Sequence, residues 1–64
     1  MSTKLINLTQ AADLLHMPEA TLRFWRHIGY GPPSAKIGRR VLYREADVVA
    51  WIDAQFAAEQ KAAK

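Results

Sequence analysis

The stretch "GYGPP" at residues 29–33 constrains the fold most, because two glycines and two prolines in five positions are incompatible with a helix or an inner strand. Pro18 marks an earlier break of the same kind. A helix between the two breaks starts at Pro18 and stops at Gly29, and whatever follows residue 33 must be a separate unit. The chain is therefore predicted to consist of short elements joined by tight turns.

Two short helices are predicted before residue 29. Thr9 is a good N-cap, and apolar residues recur after it at helical spacing, so the first helix is expected over Gln10 to His16. Pro18 fits the first turn of the second helix, where its missing N–H is not needed, and Gly29 suits the C-terminal end. The pattern of the second helix places four residues inward and four outward: Thr21, Leu22, Trp25 and Ile28, against Glu19, Arg23, Arg26 and His27.

A β-hairpin is predicted after the GYGPP stretch. Residues 35–37 and 41–43 read as two short strands, and Gly38 supplies the positive φ of a tight connection. The adjacent Arg39 and Arg40 are then expected together at the tip of the hairpin. A paired positive charge at such a place is either simply solvated or positioned to contact a polyanion.

A third helix is predicted from Glu45, because carboxylates suit the positive end of a helix and Glu45 and Asp47 lie in its first turn. Residues 57–64 lack large apolar anchors and are expected to form a helical extension or a frayed tail, with Lys61 and Lys64 near its negative end. The residues expected to face inward are Val48, Val49, Ile52 and Phe56, with Trp51 alongside.

The 64 residues are enough for one domain, residues 1–64, with a small core. The chain has no cysteine, so neither a disulfide nor a thiolate metal site is expected, and His16 and His27 have no obvious partners for a metal. The sequence has no paired carboxylates in a plausible pocket and no phosphate-binding glycine loop, so an enzyme is not expected. No signal peptide or membrane span is recognised, and a cytoplasmic protein is expected.

Positive charge is concentrated in the middle of the chain. Residues 20–44 contain no carboxylate, whereas the segments on either side carry a net negative charge. If these side chains converge on one side of the molecule, they form a surface suited to a polyanion. The six cationic residues are Arg23, Arg26, Lys36, Arg39, Arg40 and Arg44.

The two predicted helices have the spacing of a helix-turn-helix, in which a short turn separates two helices that pack against each other. Ala12 is the small residue that would allow the helices to cross closely, and Leu22 and Trp25 would pack the second helix onto the first. His16 lies in the turn, where a positive φ is common and histidine is tolerated.

The segment "LTQAADLLHMPEATLRFWRHIGYGPPSAKIGRRVLYREADVVAWI", residues 8–52, resembles the small winged-helix domains of phage excisionases (recombination directionality factors) and of related regulators grouped with AlpA and the MerR DNA-binding heads. Its "ATLRFWR", "GPPSAKIGRRVLY" and "READVVAWI" pieces carry the likeness. The resemblance implies a mostly α fold with a small β-hairpin wing, a winged helix-turn-helix. His16 replaces the usual glycine, and Phe24 replaces a usual polar or basic residue. The effector domain of MerR proteins has no counterpart, so no small-molecule ligand or cofactor is expected.

The second helix is expected to enter the major groove of double-stranded DNA. Arginine pairs with guanine and a carboxylate accepts from cytosine, so Arg23 and Glu19 are candidate base readers, with Ala20 beside them. Arg26 and His27, further along the same face, would meet phosphate or water.

The hairpin is expected to act as the wing. The resemblance implies that Arg39 enters the minor groove while Lys36, Arg40 and Arg44 contact the backbone. Phe24 has no inward place and is a candidate for contact with a neighbouring loop or a second copy. Six phosphate contacts would make log K fall against log salt with a slope of about −5.

The leading hypothesis is an excisionase that binds repeated sites cooperatively, bends DNA and directs a phage integrase toward excision on the nucleoid of a bacterial host, performing no chemistry itself. A single module of this size makes few base contacts and binds weakly, which favours self-association on DNA. A small AlpA-like transcriptional regulator shares the fold and is the first alternative. A protein-interaction module whose basic face docks an acidic partner is the second.

Overall fold

The computed structural model describes residues 4–62 of the chain. Three helices and a three-stranded antiparallel sheet follow one another along the chain. No helix within these residues is both long enough and apolar enough to cross a bilayer. The elements are β1 (Leu5–Asn7), α1 (Leu8–Leu15), α2 (Glu19–Ile28), β2 (Ser34–Ile37), β3 (Arg40–Arg44) and α3 (Glu45–Ala62).

Helix α1 begins two residues earlier than expected, and the prediction that Thr9 caps it is wrong. The cap is Asn7, whose Oδ1 accepts from the backbone N–H of Gln10 at 2.8 Å, while Gln10 Oε1 accepts from the N–H of Asn7 at 2.9 Å. This reciprocal pair is a capping box, with asparagine and glutamine in the two roles. Thr9 instead lies within the first turn of the helix.

The turn between α1 and α2 agrees with the prediction for His16. This residue adopts φ 57°, ψ 42°, the left-handed conformation, and its N–H donates to the carbonyl of Asp13 at 3.2 Å. The N–H of Met17 donates to the carbonyl of Ala12 at 2.9 Å, which completes the C-terminal cap. Pro18 precedes α2 as its N-cap with extended backbone, one position before the predicted place in the first turn.

Strand β1 was missed by the sequence analysis. It pairs antiparallel with β3, so the strand order is β1-β3-β2 and β3 lies in the middle. Ile6 and Ser34 both stand opposite Tyr43, and these residues therefore share one face of the sheet. Ile6 and Tyr43 are 3% and 2% exposed, so this is the side covered by the helices, hereafter the helix-facing side.

The core lies between the helix-facing side of the sheet and the three helices. Leu22 anchors α2 with 1% exposure, and Val48 anchors α3. Ala12 is 4% exposed, as expected of the small residue where α1 meets its neighbours. Within residues 4–62, the buried residues of this core are Ile6, Ala11, Ala12, Leu22, Tyr43 and Val48.

An aromatic cluster extends this core at the end of α2. The ring of Trp25 lies 5.2 Å from Tyr30 and 5.4 Å from Trp51, centroid to centroid, and both tryptophans are half-buried. Gly31 passes so close to Trp25 that a Cβ on it would lie 2.9 Å from the ring, and its φ is +94°. The GYGPP stretch is therefore packed against α2, and the tryptophans contribute to packing as predicted.

Three residues predicted to face inward are exposed instead. Ile28 is 54% exposed at the last position of α2, and Val49 and Phe56 on α3 are 43% and 66% exposed. Every position from 53 to 61 is exposed, so the second half of α3, which contains Phe56, is not packed into the core. The extension predicted from residue 57 is helical through Ala62, whereas Ala63 and Lys64 lie outside the described residues.

These elements form the winged helix-turn-helix expected from the sequence. Helices α1 and α2 make the helix-turn-helix, and β2 and β3 make the hairpin. A hydrogen bond of 2.9 Å from the N–H of Glu45 to the carbonyl of Lys4 ties the start of α3 to the chain before β1.

Candidate nucleic-acid interface

Helix α2 presents a polar face to solvent because its opposite face is buried through Leu22. Ala20, Arg23 and His27 are exposed, and they lie at positions that share one side of a helix. The outward set predicted from the sequence therefore lies outward, with Glu19 half-buried.

The two candidate base readers are bonded to each other. Arg23 Nη2 donates to Glu19 Oε1 at 3.2 Å, an ion pair one turn apart on α2. Such a pair adds little to helix stability. It does hold a cationic donor and an anionic acceptor side by side at the N-terminal end of the exposed face, which is the end that meets base edges in helix-turn-helix complexes.

Arg26 joins α2 to the hairpin. Its Nε donates to Ser34 Oγ at 2.9 Å, across the cleft between the last turn of α2 and the start of β2. The two Nη groups of Arg26 stay available on an exposed side chain. Arg26 lies on the outward face as predicted, whereas its partner Ser34 was not predicted, because nothing in the local pattern indicates which hydroxyl an arginine will reach.

The same junction affects Tyr43. Burial raises the pKa of the Tyr43 phenol above its usual 10.0, while the nearby charge of Arg26 and a hydrogen bond with Ser34 act more weakly in the opposite direction. Burial therefore favours the neutral form of this phenol, which lies within the core beneath the hairpin.

The tip of the hairpin differs from the prediction. Ile37 pairs with Arg40 in the ladder, so Gly38 and Arg39 alone form the connection, and Gly38 has the expected positive φ of 64°. Arg40 is the first residue of β3 and is not part of the tip. Because the connection has only two residues and Gly38 is one of them, a single arginine, Arg39, lies at the tip.

The cations of the hairpin are divided between its two faces. Lys36 stands opposite Val41 and so lies on the helix-facing side, beyond the end of the core. Arg40 and Arg44 alternate with Val41 and Tyr43 and so lie on the other side, hereafter the outer sheet face. Arg39 lies between the two faces, at the tip.

Arg44 is committed to an ion pair. Its Nε lies 2.8 Å from Asp47 Oδ2 in the first turn of α3. Asp47 lies in the first turn of α3 as predicted, but its pairing with Arg44 was not predicted, although the spacing of three residues was a usable signal. Within residues 4–62, Lys36, Arg39 and Arg40 take part in no ion pair.

Phe24 and the outer sheet face expose apolar surface. Phe24 is 57% exposed on α2, as expected from its lack of an inward place. On the outer sheet face, Leu5 and Ile37 are 49% and 55% exposed beside a shallow groove of about 340 Å³ that Ala35 and Leu42 also line.

Comparison with known proteins adds one finding to this geometry. A family model described as a helix-turn-helix domain matches residues 5–55, which span β1 through most of α3. No curated protein and no solved structure matches the chain significantly.

Proposed function

We propose, from the premise that this chain belongs to the helix-turn-helix domain family and binds double-stranded DNA, that it is an architectural DNA-binding protein of the excisionase type. In this role it performs no chemistry. It binds adjacent sites in several copies, bends the duplex and directs an integrase toward excision.

The observation that carries the proposal is the Arg26–Ser34 bond of 2.9 Å between α2 and the hairpin. It connects the element suited to the major groove with the element suited to the minor groove. A helix and a thin cationic ribbon held in one unit can contact one duplex at two neighbouring grooves. A protein-interaction module with a basic face has no need of this arrangement.

In the proposed complex, α2 enters the major groove. Glu19, Ala20 and Arg23 meet base edges, and His27 meets phosphate or water. The Nη groups of Arg26 take no part in the bond to Ser34 and donate to a phosphate of the DNA backbone.

The hairpin supplies the rest of the contact. Arg39, at the tip, enters the minor groove, where negative potential is focused when the groove is narrow. Lys36 and Arg40 extend from opposite faces of a ribbon and so suit the phosphates on the two sides of one groove. Arg44 contacts the DNA backbone only when its ion pair with Asp47 opens.

Self-association is part of the proposal because a single domain of this size buries little surface on DNA and so binds a site weakly by itself. The exposed Leu5 and Ile37 of the outer sheet face are apolar and lie on the flank of the hairpin. This flank meets the neighbouring copy on DNA.

The test is a footprint followed by a recombination assay. The full chain is titrated onto DNA flanking its own gene, and we expect protected repeats at regular spacing that fill over a narrow concentration range. Adding the chain to an integrase encoded beside it should raise excision of attachment-site DNA and lower integration. Protection confined to a promoter, with recombination unchanged, would assign the chain to the AlpA-like regulators instead. Absence of any duplex binding would overturn the proposal as a whole.

A further inference from the structure

The exposed face of α2 contains a large apolar side chain among polar ones. Ala20, Arg23, Phe24 and His27 are spaced so that they form one face, and all four are exposed. Phe24 is 57% exposed, whereas Leu22, on the opposite face, is 1% exposed. Phe24 is therefore part of the surface that meets the partner of α2 and is not part of the core.

The surroundings of Phe24 favour an anionic partner. Arg23 and His27 are its neighbours on this face; Arg23 is bonded to Glu19 at 3.2 Å, and His27 takes part in no ion pair within residues 4–62. Covering Phe24 with a protein surface would remove water from these basic groups, which is unfavourable without compensating acidic groups. A DNA duplex supplies such compensation through its phosphates.

The major groove offers one kind of apolar group, the 5-methyl of thymine. A phenylalanine brought against any other base edge would displace water from polar atoms without replacing their hydrogen bonds. Phe24 lies one turn after Ala20, within the first two turns of α2, where a helix in the groove comes nearest to the bases.

We propose that Phe24 reads thymine through its 5-methyl group and so determines part of the sequence preference of this protein, with the smaller Ala20 contributing on the same face. The inference rests on the proposed function, because it requires α2 to lie in the major groove. It adds a base-specific contact of an apolar kind to the polar contacts of Glu19 and Arg23.

The experiment removes the methyl group and the phenyl ring separately. A binding site is first selected from a random pool of duplexes with the full chain. Each thymine is then replaced singly by deoxyuridine, which lacks only the methyl group. We expect the wild-type chain to lose about fourfold in affinity at one or two positions, the change that corresponds to one buried methyl group.

The Phe24→Ala variant tests whether this loss belongs to Phe24. It should bind the thymine and deoxyuridine duplexes with equal affinity at those positions, while its circular dichroism and melting temperature stay those of the wild type because the side chain is exposed. Ile28→Ala is the matched control, since Ile28 is 54% exposed on the same helix one turn further on. It should keep the wild-type preference for thymine.

Two results would overturn the inference. The first is a wild-type chain that ignores deoxyuridine at every position, and the second is an F24A variant that keeps the full preference for thymine. If that variant also loses cooperativity on paired sites while it keeps the single-site affinity, Phe24 is assigned to a contact between copies. In both results the chain still binds DNA, so the proposed function would stand; failure to select any duplex would overturn both.

Discussion

Helix α2 and the hairpin both expose positively charged side chains, but the two regions differ in whether those side chains are bonded to a neighbour. On α2, Arg23 is bonded to Glu19 and Arg26 to Ser34, and the helix itself is anchored by Leu22. On the hairpin, Arg39 and Arg40 are exposed and form no ion pair with any residue from 4 to 62. The helix therefore presents oriented side chains, whereas Arg39 and Arg40 at the tip end of the hairpin are unpaired and only Arg44, at its far end, is bonded to Asp47.

This difference matches two kinds of contact with DNA. Base edges are read by hydrogen bonds and apolar contacts that need accurate placement, so oriented side chains suit them. Phosphates attract any positive charge that comes near them, so unpaired cationic side chains on a narrow ribbon are sufficient for phosphate contacts. We expect α2 to determine sequence preference and the hairpin to determine much of the affinity and its dependence on salt.

The largest expected effect tests the anchoring of α2. Leu22→Ala removes a fully buried side chain and should lower the free energy of unfolding by about 3 kcal/mol. Ile37→Ala, at a hairpin residue that is 55% exposed, should change it by less than about 0.5 kcal/mol. Urea denaturation of the two variants gives the comparison, and equal losses would show that the hairpin is as firmly packed as the helix.

The next effect tests the free charges of the hairpin. Replacing Arg39 and Arg40 together by glutamine should reduce the steepness of log K against log salt by about 2 and weaken binding by roughly tenfold to a hundredfold. The sequence preference should change little. Lys61→Gln, on the exposed last turn of α3, is the control and should leave binding unchanged. Unchanged gel-shift affinity in the double variant would contradict the wing assignment.

A smaller effect tests the connection between the two regions. Ser34→Ala removes the acceptor for Arg26 and should cost about 0.5 to 1 kcal/mol of folding stability, measured by urea denaturation. The count of DNA-facing cations is unchanged, so the salt dependence should stay that of the wild type while affinity falls. Thr21→Ala on α2 is a comparable loss of a hydroxyl away from this junction. If both variants bind DNA like the wild type, the Arg26–Ser34 bond does not orient the hairpin.

The smallest effect concerns pH. Because burial raises the pKa of Tyr43 in the folded protein above 10.0, the folded form keeps its phenolic proton to higher pH than the unfolded form does. The resulting stabilisation is fully present below pH 10 and is lost as the pH rises through the folded-state pKa, with a slope of at most about 1.4 kcal/mol per pH unit. Tyr43→Phe should show a shallower decline in urea denaturation across this range. Parallel profiles would contradict the raised pKa.

Much of the local structure could be predicted from the sequence. The end of α2 at Gly29, the left-handed conformation of His16 and the positive φ of Gly38 all follow from residues within a turn of each position, whereas Pro18, predicted in the first turn of α2, precedes the helix as its N-cap. The cap of α1 was predicted wrongly as Thr9. Asn7 and Thr9 are both residue types that cap helices, but only Asn7 has a glutamine three residues later, and this residue, Gln10, completes the capping box.

The candidate interface was predictable in its residue types and less so in its arrangement. The outward face of α2 follows from helical periodicity, and the concentration of cations in residues 20–44 follows from counting. The ladder decided that Arg40 lies in β3 and on the outer sheet face, because a shift of one position in the hairpin connection moves every following side chain to the other face.

The sequence by itself determined where the chain must turn, which segments can be helical and where positive charge is concentrated, because backbone preferences and helical periodicity act over a few neighbouring residues. Only the tertiary structure decided that Leu5–Asn7 pairs with β3 and that Arg26 bonds Ser34. It also decided that Phe56 stays exposed. Strand pairing and burial depend on residues that are distant in the chain, and local sequence patterns do not indicate which distant residues will be in contact.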